Sequence, residues 1–426
     1  MRRGRDLALL CVGQCLLVAG LALSMPYMAL YLNTERGLGM GMVGLLLACT
    51  MGATAVGHAL GGRLSDRLGR RPVMLAALVL RAGFVWLLSD AVAGGWRIPF
   101  VAAVHMAGAF AGNFYFPSAQ AWIAERWGRH ERVEAYGWLR VAANLGWAVG
   151  PAVGGLFMLS SYVVMFRATS LICLAAAAYL AWALAPEPPA RPQGDCPDCA
   201  AAAPPANGVA SWLGVVLASP RGPLDRRFVR LCLWTVALGT VMSQLVDTLS
   251  VHAVRYAGLS PSRVGLLFSV NGIMVVALQA PVSRFMRGRR ISSALWAGAL
   301  LYAAGYAAVG AAKGFAGLAG SIAVVTLGEI VVSPGIATLS ANLAAPEELG
   351  RYTGLSGFSR NVGSALAPLL GGLALEHLSP RWPSAPWLGV AALAAAAAFG
   401  FRSLGGSLEP EEDGFRAAMS PALEAA

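Results

Sequence analysis

Inside the long apolar runs of this sequence few side chains can take up or give a proton, and they are soon named: Glu329, Asp247, His105, Arg81 and Arg360. A charge in hydrocarbon is costly, so residues of this kind mark proton relays and ion pathways. Glu329 lies deepest, in "TLGEIVV". A carboxyl group there is positioned to load a proton on one side of a barrier and release it on the other, which makes Glu329 the first candidate for proton coupling. Asp247 and His105, nearer one surface, are the second candidates, and Arg81 is a buried cation able to act on the same charge balance. A cationic solute, or Arg360 on the next run, would favour the deprotonated form and so link binding to proton loss. Arg140 and His58 lie close enough to a run's end to snorkel.

Other chemistries find no support. No H-E-x-x-H, G-x-S-x-G, phosphate-binding G-x(4)-G-K-[ST] or intramembrane acidic pair occurs, so neither an enzyme nor a nucleotide-driven pump is expected. Cys196 and Cys199 form a C-x-x-C without two further ligands, and read as linker thiols; no metal site and no cofactor are expected.

The elements that must position these residues follow from composition. Of 426 residues 57% are hydrophobic and 12% charged, with mean hydropathy +0.62. The excess comes in runs of about 20 residues, the length that crosses a bilayer, without the alternation of barrel strands. Only helices or closed barrels satisfy their own backbone in lipid, so the runs read as helices. Twelve are expected, over 7–32, 40–64, 72–90, 98–124, 135–159, 162–184, 228–252, 263–286, 291–312, 315–343, 350–375 and 385–403. The first follows Arg2, Arg3 and Arg5 without a small-residue cleavage site and reads as a helix rather than a secretory signal.

If the N-terminus is cytoplasmic, only Arg36, Arg97, Arg167, Arg255, Arg263, Lys313 and Arg381 of the 32 basic residues fall in outer loops, so the positive-inside rule puts both termini in the cytoplasm. Topology thus accounts for the net charge of +11, and nucleic acid is not an expected partner. The chain divides into an N-terminal six-helix bundle (1–184), a cytoplasmic Pro/Ala-rich linker (185–227), a C-terminal six-helix bundle (228–403) and a cytoplasmic tail (404–426). Within the linker "VASWLGVVLASP" reads as a short amphipathic helix on the inner face.

One run is built from helix breakers. "YGWLRVAANLGWAVGPAVGGL" carries Gly137, Gly146, Gly150, Pro151, Gly154 and Gly155, and a shift of 217 residues repeats the pattern as Gly354, Gly363, Ala367, Pro368, Gly371 and Gly372. Pro117 maps onto Pro334 in the same way, so the two halves are duplicates, a common transporter architecture. Glycines about four apart leave a stripe where another backbone approaches closely, and Pro151 bends the helix. The stripe serves either ordinary packing or a seal between the halves that opens and closes.

These residues carry a resemblance. The spacing G-x(8)-G-x(3)-G-P-x(2)-G-G resembles the antiporter motif of the major facilitator superfamily at all six positions. "GGRLSDRLGRRP" is similar to its cytoplasmic loop signature through Gly62, Leu64, Asp66, Arg67, Gly69, Arg70 and Arg71. The twelve-helix drug:proton antiporter branch is the nearest in pattern. The resemblance implies an all-α membrane protein of twelve helices in two pseudo-symmetric bundles. It implies a monomer in the plasma membrane, of the bacterial inner-membrane kind, that exports small drug-like molecules in exchange for protons. It also implies that Glu125, closing the fourth helix, competes with Asp66 for the loop arginines. Two departures stand out: His105 occupies a position where the branch has arginine, and Phe285 replaces the acid in the second loop copy "PVSRFMRGRR".

Binding is expected between the halves near the midplane, with Tyr27, Asn113, Tyr115, Gln244 and Asn271 lining a wall suited to lipophilic, often cationic solutes. Export of a sugar, amino acid or native metabolite is the alternative, and a membrane enzyme or sensor the remote one.

Overall fold

Apolar sequence on every face of a helix is stable only in lipid, and the helices here are of that kind. The structure, a computed structural model, describes residues 2–127, 132–158, 160–185, 224–286, 288–344 and 349–414. Cys196, Cys199, the segment 209–220 and the tail beyond 414 lie outside the described residues.

Among the described residues the chain is helical throughout, without strands. The first seven helices are α1 (Arg2–Leu30, prolonged by a π-helical turn Tyr31–Glu35), α2 (Met40–Leu68), α3 (Arg70–Ala93), α4 (Ile98–Gly112), α5 (Tyr115–Arg126), α6 (Arg132–Met158) and α7 (Tyr162–Ala183). After the linker come α8 (Arg226–Ser243), α9 (Asp247–Arg255), α10 (Pro261–Met286), α11 (Ile291–Ala311), α12 (Gly314–Asn342), α13 (Leu349–His377) and α14 (Ala385–Gly405). The pairs α4–α5 and α8–α9 each form one broken span, which gives the expected twelve. Eleven spans are long and apolar enough to cross a membrane. The twelfth, α13, carries Arg360 and Glu376 and is packed between α8 and α2. Large apolar side chains such as Leu156, Trp182, Leu233 and Phe399 stand exposed on outward faces, as lipid contact requires.

The breaks have local causes. Pro117, in the first turn of α5, has no N–H to give the carbonyl of Asn113, and α4 ends there. The α8–α9 break over 244–246 corresponds, after the 217-residue shift, to the stretch just behind Pro26 of α1. Several helices also run past their apolar stretch: α1 begins at Arg2 and α2 continues through "SDRL", because the helical backbone extends into the polar zone that hydropathy does not mark.

Helices α1–α7 pack among themselves, as do α8–α14; the main contacts between the two groups are α6 with α10 and α13 with α2. These two contacts are images of each other under the repeat. The glycine stripe shows why. A Cβ on Gly146 would lie 2.8 Å from Ala19 N and Cys15 O, and one on Gly150 or Gly154 would meet the carbonyls of Ala19 or Leu23, so this edge of α6 lies flat against α1. Gly155 and Pro151 face the other group: side-chain atoms at Gly155 or Gly265 would collide with the carbonyls of Ser262 and Pro151. In the second copy Gly363 presses on α8 and Gly371 on Gln244 and Thr248 at the α8–α9 break, Gly372 meets Met40 of α2, and Gly44 meets the Pro368 carbonyl. Gly137 and its counterpart Gly354 have no neighbour within 4 Å, so the first glycine of each copy takes no part in this packing.

Candidate functional site

Polar groups cluster where the two helix groups meet. Glu329 sits in the middle of α12, and its Oε2 accepts a hydrogen bond from Asn271 Nδ2 of α10 at 2.9 Å; the same amide donates to the Thr326 hydroxyl at 2.9 Å. The pairing satisfies a carboxyl group in a helix contact and fixes its direction. Arg140 of α6 lies within electrostatic reach of Glu329 and donates to Ser333, one turn further along α12, at 3.0 Å. The sequence offers a cationic solute or Arg360 as the neighbouring positive charge. Arg360, on α13, lines the same cavity as Arg140 and lies within its electrostatic reach.

Arg140 and Arg360 line a cavity of about 510 Å³ together with Gln14, Phe116, Gln120 and Tyr136. It lies on the side that carries the chain termini, and on the opposite side the glycine contacts close the molecule. Among the described residues no carboxylate lines it. A smaller pocket of about 140 Å³ opens beside Arg360 between α8, α12 and α13, and is rich in hydroxyls from Thr235, Ser333, Ser340 and Ser356. Among the described residues no group of three or more His, Cys, Asp or Glu is arranged to hold a metal.

The other sequence candidates fall elsewhere. Arg81 and His105 form a separate cluster within α3 and α4, where Arg81 Nε is buried without a partner. Asp247 opens α9 and is buried at 7% exposure. Tyr27 donates to the Pro151 carbonyl at 3.0 Å, and Gln244, its image in the repeat, donates to the Ala367 carbonyl at 3.0 Å. Both pin a bent helix. Tyr115 is buried in the core of the N-terminal group, and Asn113 ends α4. None of Tyr27, Asn113, Tyr115, Gln244 and Asn271 lines the large cavity. Arg140 was legible only as a snorkelling residue, since depth along a helix does not reveal which neighbour it faces.

The loop motif is built as a joint. Gly69 holds φ +93°, a conformation side chains resist, which lets α2 turn directly into α3. Arg70 then pairs with Asp66 through Nη1, with Glu125 of α5 through Nε at 2.8 Å, and with the Ser65 hydroxyl at 2.8 Å. Asp66 and Glu125 thus hold one arginine simultaneously, where competition was expected. Arg71 donates to the Ala181 carbonyl of α7. A Cβ on Gly62 would meet only Pro117, at 3.8 Å, whereas Gly57 and Gly61 carry the close approach to Phe110 and Phe114. In the worn second copy Arg289 lies 3.9 Å over the Phe285 ring, a cation–π contact where the first copy has an ion pair.

Comparison with known proteins decides the family. The Major Facilitator Superfamily profile matches residues 10–368 and 241–424. The chain belongs to the major facilitator superfamily. It is similar to the uncharacterized MFS-type transporter YttB of Bacillus subtilis, 24% identical over 88% of this chain and 90% of that one. It is likewise similar to the multidrug resistance protein MdtH of Klebsiella pneumoniae, 24% identical over 90% of each. In fold it matches the nucleoside transporter NupG with a TM-score of 0.76 at 13% identity, covering 94% of this chain and 99% of that one. As a facilitator-superfamily member it is a multi-pass membrane transporter of small molecules and not an enzyme.

Proposed function

We propose that this transporter exports small, drug-like organic molecules across the plasma membrane in exchange for protons, by rocking two six-helix halves about the cavity. Glu329 carries the proton. The observation that carries this reading is Arg140, which lines the cavity, crosses to Ser333 and acts on Glu329. Any motion that draws α6 away from α12 removes a positive charge from beside the carboxyl group, so the state of the cavity and the protonation of Glu329 are linked. With the termini in the cytoplasm, the cavity opens inward and the glycine contacts seal the outer side. The resemblance to a multidrug resistance protein supports the substrate class. Two arginines and, among the described residues, no lining carboxylate favour neutral or acidic solutes over the often cationic ones expected from sequence. The hydroxyl-rich pocket beside Arg360 favours a second reading, export of a polar native metabolite.

Efflux of a panel of cationic, neutral and anionic fluorescent dyes from a pump-deficient host tests the proposal. Protonophore-sensitive export of neutral or acidic dyes is expected. Export unaffected by the protonophore would remove the proton, and no export of any dye would favour the metabolite reading.

A further inference from the structure

Among the described residues, four buried side-chain polar atoms without a hydrogen-bond partner lie on neighbouring rings of the C-terminal helix group: Tyr302 Oη, Tyr306 Oη, Trp387 Nε1 and His252 Nδ1. Buried polar atoms are almost always partnered, so four on adjoining rings require an explanation. Their rings are in contact. Tyr302 and Tyr306, one turn apart on α11, stack at 6.2 Å and 9°, and Trp387 of α14 stacks on Tyr306 at 5.8 Å and 6°. His252 of α9 meets the Trp387 ring edge-on at 5.0 Å and stacks on Tyr256 at 5.5 Å, beside the turn that follows α9. At the other end the Tyr302 ring rests on Gly328, the residue before Glu329, and both tyrosines lie in the electrostatic field of the Glu329 carboxyl. Tyr302, Tyr306, Trp387 and His252 are each at most 2% exposed.

From this geometry we infer that His252, Tyr306 and Tyr302 form, with intervening water, the route by which protons from the outer side reach Glu329. The inference rests on Glu329 as carrier. A hydroxyl both donates and accepts, so each tyrosine passes a proton on by taking one and giving another, and leaves unchanged. His252, whose ring is held by the Val309 carbonyl, takes up a proton at its unpartnered Nδ1 and gives it back from the same atom; Trp387 donates only and serves to orient its neighbours. The route bypasses the solute cavity, so protons and solute reach the centre of the molecule by different paths. The titratable or charged groups facing the line are His252 of α9, Tyr256 in the turn after it, Tyr302 and Tyr306 of α11, Glu329 of α12 and, beyond it, Arg140 of α6.

The test is a pH jump on purified protein, followed by the infrared carboxyl band, with Glu329→Gln, in which the band should vanish, as its assignment. Tyr302→Phe with Tyr306→Phe keeps the rings and removes both hydroxyls. The band should rise roughly a hundredfold more slowly, at the lower end of what a positioned proton-transfer group contributes, with its pH midpoint unchanged. A merely structural role would move the midpoint instead. An unchanged rate, or a shifted midpoint with an unchanged rate, would overturn the route while leaving Glu329 as carrier. A band that persists in Glu329→Gln would overturn carrier and route together.

Discussion

At Arg70 one guanidinium holds Asp66, Ser65 and Glu125 and so ties the ends of α2 and α5 to the start of α3. Both carboxylates are about half exposed, so the joint contributes little to global stability, and its effect is expected in turnover. Asp66→Asn keeps the shape and removes the charge: transport should slow several-fold with membrane expression unchanged, measured as initial efflux rate per copy. An unaltered rate would reduce the motif to a topogenic signal. Arg140 acts on chemistry more directly. Arg140→Gln should raise KM for acidic dyes more than for neutral ones, since only the former lose an ion pair in the cavity. Equal shifts for both would remove Arg140 from the solute site. The motif residues themselves were readable from spacing, because glycine, proline and paired charges have fixed backbone and electrostatic uses. The partners of Arg140 and Arg360 were not, because facing depends on the rotation of each helix.

At the scale of elements, the proline and glycines of α6 and α13 explain why a helix is made from breakers. Each proline presents a carbonyl that meets a glycine of the opposite group, Gly265 for Pro151 and Gly44 for Pro368. The 217-residue repeat was visible in the sequence; the cross-group contact was not, since it pairs α6 with α10 and α13 with α2, which no local pattern announces. Gly265→Leu should force the closed side apart, lengthening the distance between spin labels at Gly37 and Leu378. An unchanged distance would show that this contact does not hold the seal. Helix ends offer a separate test. Asp225 caps α8, accepting from the Arg227 backbone at 2.7 Å and its side chain at 2.9 Å, and Arg227 reaches Glu412 at 2.6 Å. Burial pushes the Asp225 carboxyl up, but the bonds from Arg227 outweigh it and hold it below its ordinary value. Its contribution is therefore complete above the ordinary carboxylate range and is lost as pH falls through that range toward the depressed native value. Asp225→Ala should lose about 1 kcal/mol of capping energy at neutral pH and flatten the acid-side fall of Tm. A parallel fall in both proteins would assign the acid sensitivity elsewhere.

For the whole molecule, twelve spans and the duplicated halves were legible because hydropathy and repeat spacing are global properties of a chain. The solute cavity was not, and neither were the glycines that close the far side, because both belong to one conformation of a pair of bundles. The account rests on Glu329 coupling that conformation to the proton gradient. The most direct measurement is dye transport into proteoliposomes of purified protein under an imposed pH gradient, comparing wild type with Glu329→Gln, which preserves size and fixes the side chain neutral. Gradient-driven transport should be lost in the variant while dye binding persists. Transport that keeps its rate and its pH dependence in Glu329→Gln would contradict the account.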